Sequence, residues 1–337
     1  MALEKEIIIE ARNIKKYFFL GKDRATKEEK YLHAVDHVSL NIHRGEIYGI
    51  VGESGSGKST LGRCLLKLLD INEGVITFKG QRIDDISVRE LMNLRKNMQM
   101  VFQNPFSSFN PRQRLGDAVM EIANVHIKDK TRKEKRERLE ELLEQVNLPK
   151  NIINRYPREL SGGQLQRFAI LRALYLNPEF IIADEAVSAL DVSVQAQILN
   201  LLMDLRDELD LTIMFISHEL TVVEHVCDKV LVLYLGAVME NAPTDKLFSN
   251  VLHPYSLALL DSKPKEHPAE ADSRLVLEGT ASGAVNVPEG CRFCERCFKA
   301  KRGVCDQVTP ELKELEPEHF VACHFPLTEE ERQQIRL

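Results

Sequence analysis

At 337 residues, with 44% hydrophobic and 28% charged positions, the chain is too long for a small stapled fold and has the composition of an ordinary globular protein with room for one large domain and an appendage. Its net charge of -6 argues against a partner bound through a phosphate backbone, so nucleic acid is not expected. No run approaches the roughly 18 apolar residues of a membrane span; the best, Val230 to Met239, is bounded by Lys229 and Glu240.

Met1 to Glu6 lacks the basic region and apolar run of a secretory signal, so a cytoplasmic protein is expected, one that meets a membrane through partners. Glu6 to Ala11 and His37 to Ile42 read as strands, separated by a polar insert, Gly21 to Lys30, that has no periodicity and reads as a loop. A third apolar run, Glu46 to Val51, enters a glycine-rich turn, and Thr60 to Leu69 follows with helical spacing. Between them, Gly52-Glu-Ser54-Gly55-Ser56-Gly57-Lys58-Ser59 fills the pattern G-x-x-x-x-G-K-[ST] in strand–loop–helix context. Glycines let successive backbone N–H groups converge on phosphate oxygens, and the helix opening at Ser59 and Thr60 adds its positive dipole end. Lys58 would neutralise the outer phosphates and Ser59 would ligate Mg²⁺.

Helical periodicity dominates from Ser87 to about Leu176, including an apolar stripe at Leu139, Leu142, Leu143 and Val146, and predicts a helical subdomain over about 87–176. Its interleaved charges at Lys128 to Arg138 read as a solvated face. Pro105 to Pro111 is expected to be a loop with Phe106 and Phe109 exposed. Two apolar runs, Phe180 to Ala183 and Thr212 to Ser217, flank a helix at Val194 to Leu209, as a buried parallel sheet requires. The first run ends in Asp184-Glu185, which supplies a carboxylate to hold Mg²⁺ and a second to polarise the attacking water. Ser161 reads as the N-cap of a helix after the break at Tyr156-Pro157. Ser262 to Pro268 reads as a linker, which divides the chain into 1–260 and a cysteine-bearing extension, 261–337. Cys291, Cys294, Cys297, Cys305 and Cys323 crowd into that extension. On spacing alone they suit either a zinc site or an iron–sulfur cluster, since three of them form a C-x₂-C-x₂-C run.

Leu160-Ser161-Gly162-Gly163-Gln164, close before the Asp184 strand, resembles the signature motif of ABC ATPases. The resemblance covers about residues 6–260. It implies an α/β P-loop ABC-type nucleotide-binding domain that dimerises, so that Ser161 to Gln164 of one protomer meet the γ-phosphate of ATP on the other. It also gives Gln103 the role of the Q-loop glutamine near Mg²⁺, Asp191 that of the D-loop, His218 that of the switch histidine and Tyr17 that of the adenine-stacking aromatic, with Tyr31 a weaker competitor. Glu185 becomes the catalytic carboxylate, followed by Ala186 where the family usually has proline.

Met98 to Pro105, Ser107 to Arg112, Asp184 to Gln197, His253 to Leu260 and the cysteine tail together resemble ATPase subunits of the oligopeptide/dipeptide and nickel importer group, and Asn110-Pro-Arg112 resembles the second of its two paralogous subunits. The resemblance implies peptide import powered by ATP hydrolysis from the inner face of the cell membrane. Its partners would be a second ATPase subunit (self or paralogue), two transmembrane permeases and an extracytoplasmic solute-binding protein. It also implies a four-iron, four-sulfur cluster on Cys291, Cys297, Cys305 and Cys323, with Cys294 an extra and zinc the alternative. The rival from another class is a soluble ABC ATPase that remodels a nucleic-acid complex.

Overall fold

The computed structural model describes residues 5–23, 27–261, 285, 287 and 289–336; the expected linker at 262–268 lies outside them. In chain order the elements are β1 (Ile7–Lys22), β2 (Glu29–His43), β3 (Ile47–Val51), α1 (Lys58–Leu65), β4 (Glu73–Phe78), β5 (Gln81–Arg82), α2 (Val88–Leu94), β6 (Met98–Val101), α3 (Leu115–His126), α4 (Arg132–Gln145), α5 (Gly162–Leu174), β7 (Phe180–Asp184), α6 (Val192–Leu209), β8 (Thr212–Ile216), α7 (Leu220–Val226), β9 (Lys229–Tyr234), β10 (Ala237–Pro243), α8 (Thr244–Ser249), α9 (Pro254–Asp261), β11 (Lys313–Glu316), β12 (His319–Val321) and α10 (Glu329–Arg336). They divide into two compact units, one over Met1–Ile8, His43–Gly45 and Asp85–Ile216, the other over Ile9–Ile42, Glu46–Asp84 and Ser217–Leu337.

The first unit holds three parallel strands, β6, β7 and β8, with Met98 opposite Phe180 and Phe180 opposite Thr212. Every residue of β7 and β8 is buried, which is why both read as unbroken apolar runs rather than alternating ones. Strand β6 was not anticipated: Met98-Gln-Met-Val lies inside the stretch expected to be helical, and its pairing to β7 overrides the local pattern. In the same unit α4 buries Leu139, Leu142 and Leu143 after a capping box at Thr131 and Glu134. Helix α5 buries Leu165, Phe168, Ala169, Ile170, Leu171, Ala173 and Leu174.

In the second unit, β2, β1, β4 and β5 form one sheet in that order. Strands β1 and β2 reach further than expected, to Lys22 and from Glu29, so Gly21, Lys22, Glu29 and Lys30 of the predicted loop are strand, and beside them Asp23 N–H donates to Glu28 O at 2.8 Å. A second set of strands begins with β3 parallel to β9, continues through the β9–β10 hairpin and ends with β12 and β11, all antiparallel. Val230 to Met239, the most apolar run, is therefore a buried hairpin, and among the described residues no helix is long and apolar enough to cross a membrane.

The cysteine-bearing segment joins this unit through β12 on β10, where the fully buried Glu240 receives three donors: His319 Nε2 at 2.7 Å, Leu252 N–H at 2.8 Å and His253 N–H at 3.0 Å. A buried carboxylate satisfied in this way ties hairpin, α9 entry and extension to one point.

Candidate functional site

Strand β3 delivers the chain into the glycine-rich loop at 52–59, and the loop's backbone is dictated by its neighbours. Gly52 and Gly57 have φ of +150° and +102°, and a Cβ on them would lie 2.1 Å from Leu233 O and 2.0 Å from Ala34 O. Only glycine fits either position. Gly57 is the N-cap of α1 and, having no side chain, makes no side-chain cap bond. Lys58 is buried, and its ammonium donates to the carbonyls of Gly52 at 2.7 Å and Glu53 at 2.9 Å, at the rim of the loop. Ser54 and Gly55 are exposed, Ser59 and Thr60 half-buried, and Ser56 Oγ is buried without a hydrogen-bond partner.

In the same unit Tyr17 lies on β1, stacked on His33 with ring centroids 4.1 Å apart, and its hydroxyl donates to Asp36. Burial, and that bond to a carboxylate, push its pKa above the usual phenol value. Tyr31 instead donates to Glu29 and tilts against Phe19. His218 is exposed just past β8, where Ser217 N–H donates to Ile50 O at 3.2 Å.

The first unit brings two of the predicted catalytic groups together: Gln103 Nε2 donates to Glu185 Oε2 at 2.8 Å. Asp184 is buried at the end of β7, and Glu185 follows in the left-handed region at φ +46°, its N–H donating to Ile216 O at 3.0 Å. This is a strained conformation for a residue with a side chain. The departure at 186 has a physical reading here: proline would push its predecessor toward extended backbone, whereas alanine leaves Glu185 free to turn left-handed.

Ser161 is the N-cap of α5, accepting from Gln164 N–H at 3.3 Å while Gln164 Oε1 accepts from Ser161 N–H at 3.2 Å. Ser161 is exposed and Gly162, Gly163 and Gln164 are half-buried, so this helix start is accessible. A Cβ on Gly163 would come within 2.5 Å of Val194 Cγ1. Asp191 caps α6, accepting from Val194 N–H at 3.0 Å and Ser193 Oγ at 2.7 Å, and these bonds hold its pKa below the usual carboxylate value. In the loop at 105–111 Phe106 is exposed as expected, but Phe109 is buried against Phe168 and under the Arg172 guanidinium, 4.1 Å from its centroid. Local packing claims that ring.

The five cysteines of the extension line one cavity with His253, Pro254, Phe293, Lys299, Ala300, His324 and Phe325. Burial raises the thiol pKa of Cys291 to about 12 and of Cys297 to about 11, reinforced by neighbouring cysteines. The donor set is thus sulfur-rich and gathered around one space, yet among the described residues no three His, Cys, Asp or Glu side chains converge as a group that could hold a metal ion.

Several residues at these sites carry no signal in the sequence read by itself. Asp36, Arg292 and Arg296 are single charged residues in ordinary surroundings, and Tyr255 stands out in the sequence only as part of the stretch at His253 to Leu260.

The family model for ABC transporter matches residues 35–188, and that for the oligopeptide/dipeptide transporter C-terminal region matches 239–305. The oligopeptide transport ATP-binding protein AppF of Bacillus subtilis is 48% identical over 327 residues, which cover 96% of this chain and 99% of that one. A putative peptide import ATP-binding protein of Brucella ovis is 48% identical over 292 residues, 87% of this chain and 92% of that one. Among solved structures, the post-hydrolysis dimer of the ATP-binding cassette MJ0796 with ADP and Pi aligns at TM-score 0.63 and 29% identity, over 70% of this chain and 99% of that one. Clostridium perfringens cbiO1, described as part of an ABC transporter complex, aligns at TM-score 0.62 and 27% identity, over 73% of this chain and 92% of that one.

Proposed function

The chain belongs to the ABC transporter ATPases, and from that premise we propose that it powers import of peptides by binding and hydrolysing Mg²⁺-ATP as one half of a dimer. The observation that carries the hydrolytic part is the 2.8 Å hydrogen bond between Gln103 and Glu185, which aims a glutamine at the carboxylate best suited to polarise water. In this reading the loop at 52–59, with Ser54, Gly55, Ser56 and Gly57, cradles the phosphates, Lys58 neutralises them and Tyr17 stacks on adenine. His218 contacts the γ-phosphate. Mg²⁺ would be held by the oxygens of Ser59, Gln103 and Asp184, a donor set that suits a hard cation. Ser161, Gly162, Gly163, Gln164 and Asp191 serve the ATP of the second ATPase subunit, so binding closes the dimer and hydrolysis opens it.

The peptide cargo is supported by the named relatives and by the C-terminal family match. The partners on this reading are two permeases, contacted through Gln103 to Arg112 with Phe106 as the exposed anchor, and a solute-binding protein, with the chain at the inner face of the membrane. We also assign Cys291, Cys297, Cys305 and Cys323 a four-iron, four-sulfur cluster, with Cys294 in reserve. What supports this is that the four sulfurs line one cavity; they would have to draw together to bind, and the cluster would then hold them as thiolates, which burial disfavours at Cys291 and Cys297. Anaerobic purification tests it: a brown protein with iron near four per chain is expected, and a colourless protein with one zinc would replace cluster by zinc.

Reconstitution with its permeases in vesicles tests the whole reading. Peptide-loaded binding protein should stimulate ATP hydrolysis, and Glu185→Gln should abolish it while keeping ATP bound. Stimulation by nickel or sugar alone would move the cargo, and salt-sensitive nucleic-acid binding without such stimulation would replace transport by remodelling.

A further inference from the structure

Between Cys291 and Cys297 the extension carries two arginines that neither metal binding nor ATP hydrolysis accounts for. The side chains of Arg292 and Arg296 are only 8% and 11% exposed, and each ends on a different nucleotide-site element of the same unit. Arg296 Nη1 donates to Glu53 Oε2 at 2.9 Å and to Tyr234 Oη at 3.2 Å. Glu53 is the second residue of the phosphate loop, and its N–H donates to Tyr255 Oη at 2.9 Å. Arg292 donates to Leu235 O and to Asp36 Oδ2, while Asp36 Oδ1 accepts the hydroxyl proton of Tyr17.

The segment that presents these guanidinium groups is held in shape by its own backbone. Cys294 N–H donates to Cys291 O at 2.9 Å, Arg296 N–H to Phe293 O at 3.1 Å and Cys297 N–H to Cys294 O at 3.3 Å. Phe293, fully buried, packs against Tyr234 and Tyr255 with centroids 5.4 and 5.2 Å away. The two charges therefore sit on a fixed turn, and each is desolvated enough that losing its carboxylate leaves a buried charge unpaired.

We infer that Arg292 and Arg296 are positioning residues for ATP: Arg296 sets the phosphate loop through Glu53, and Arg292 sets the adenine-side ring of Tyr17 through Asp36. The inference rests on reading 52–59 as the ATP phosphate loop. Two separable defects follow, because one arginine acts on the triphosphate end of the ligand and the other on its base.

The experiment measures binding of ATP and of inorganic tripolyphosphate to the full chain, together with KM, kcat and thermal midpoint. Arg296→Ala should weaken both ligands about tenfold and raise KM more than it lowers kcat, and Arg296→Lys should recover part of the loss. Glu53→Ala should do the same, and the double variant should be no worse than either single one. Arg292→Ala, or Asp36→Asn if that variant does not fold, should weaken ATP but leave tripolyphosphate unchanged. Additive losses at Glu53 and Arg296, or a lowered thermal midpoint with ligand affinities intact, would reduce the arginines to structural ion pairs and overturn the inference. Lys58→Ala separates the two levels: if it leaves ATP affinity unchanged the phosphate-loop reading itself fails, whereas a loss there without Glu53–Arg296 coupling rejects only the positioning role.

Discussion

Two helix starts in this protein are built to opposite plans. Helix α1 opens after a left-handed glycine with no side-chain cap and a buried lysine as its first residue, whereas α5 opens after a serine that forms a complete capping box with Gln164. The geometry of the first start is enforced by backbone carbonyls that a Cβ would strike. The second is satisfied within its own chain and accessible at its surface. On the proposed function, the rigid start serves the anion held by its own chain, and the start closed by its own side chains meets an anion only when a partner arrives.

Substitutions sharpen this contrast, beginning with the one that belongs to neither helix. Glu185→Gln should lower turnover by about 10²–10⁴-fold while ATP affinity is kept, read by phosphate release beside equilibrium binding; turnover at the unsubstituted rate would remove Glu185 as the water-activating group. Lys58→Ala should weaken ATP by about 1.5–3 kcal/mol, roughly tenfold to a hundredfold, through lost charge-assisted bonds to phosphate. Gly57→Ala, forced against a backbone carbonyl at positive φ, should cost about 1–3 kcal/mol of stability by denaturant unfolding. Gly163→Ala should cost less, because Val194 can shift its side chain where Ala34 O cannot. An equal cost at the two glycines would erase the distinction between the helix starts. Ser161→Ala should be the mildest in the isolated chain, about 1 kcal/mol from the lost cap. Its effect should grow when ATP-dependent dimer formation is measured by light scattering with Glu185→Gln present.

Legibility followed the same physics. The loop at 52–59, Asp184-Glu185 and the Ser161 cap were readable because their chemistry is local: a glycine pattern, an apolar run ending in carboxylates and a serine three residues before a glutamine each act within one turn of chain. Strand β6 is not legible because Met98 to Val101 becomes a strand only through its pairing with β7, and the strand ends at Lys22 and Glu29 are not legible because their polar residues lie on strands with open faces. Phe109 read as exposed because nothing nearby in sequence announces Phe168 or Arg172.

What the sequence by itself determined is the family and the order of its motifs, and from these follow the residues proposed to meet phosphate, Mg²⁺ and water, since all of them depend on spacings of a few residues. What only the tertiary structure decided is how distant segments act on those motifs. Glu185 is left-handed and bonded to Gln103, Glu240 gathers three donors from two distant segments, and Arg292 and Arg296 reach Asp36 and Glu53 across 256 and 243 positions of chain. A lone charge in a sequence has no direction; burial against one particular carboxylate gives it one, because an unpaired charge there would be too costly to keep.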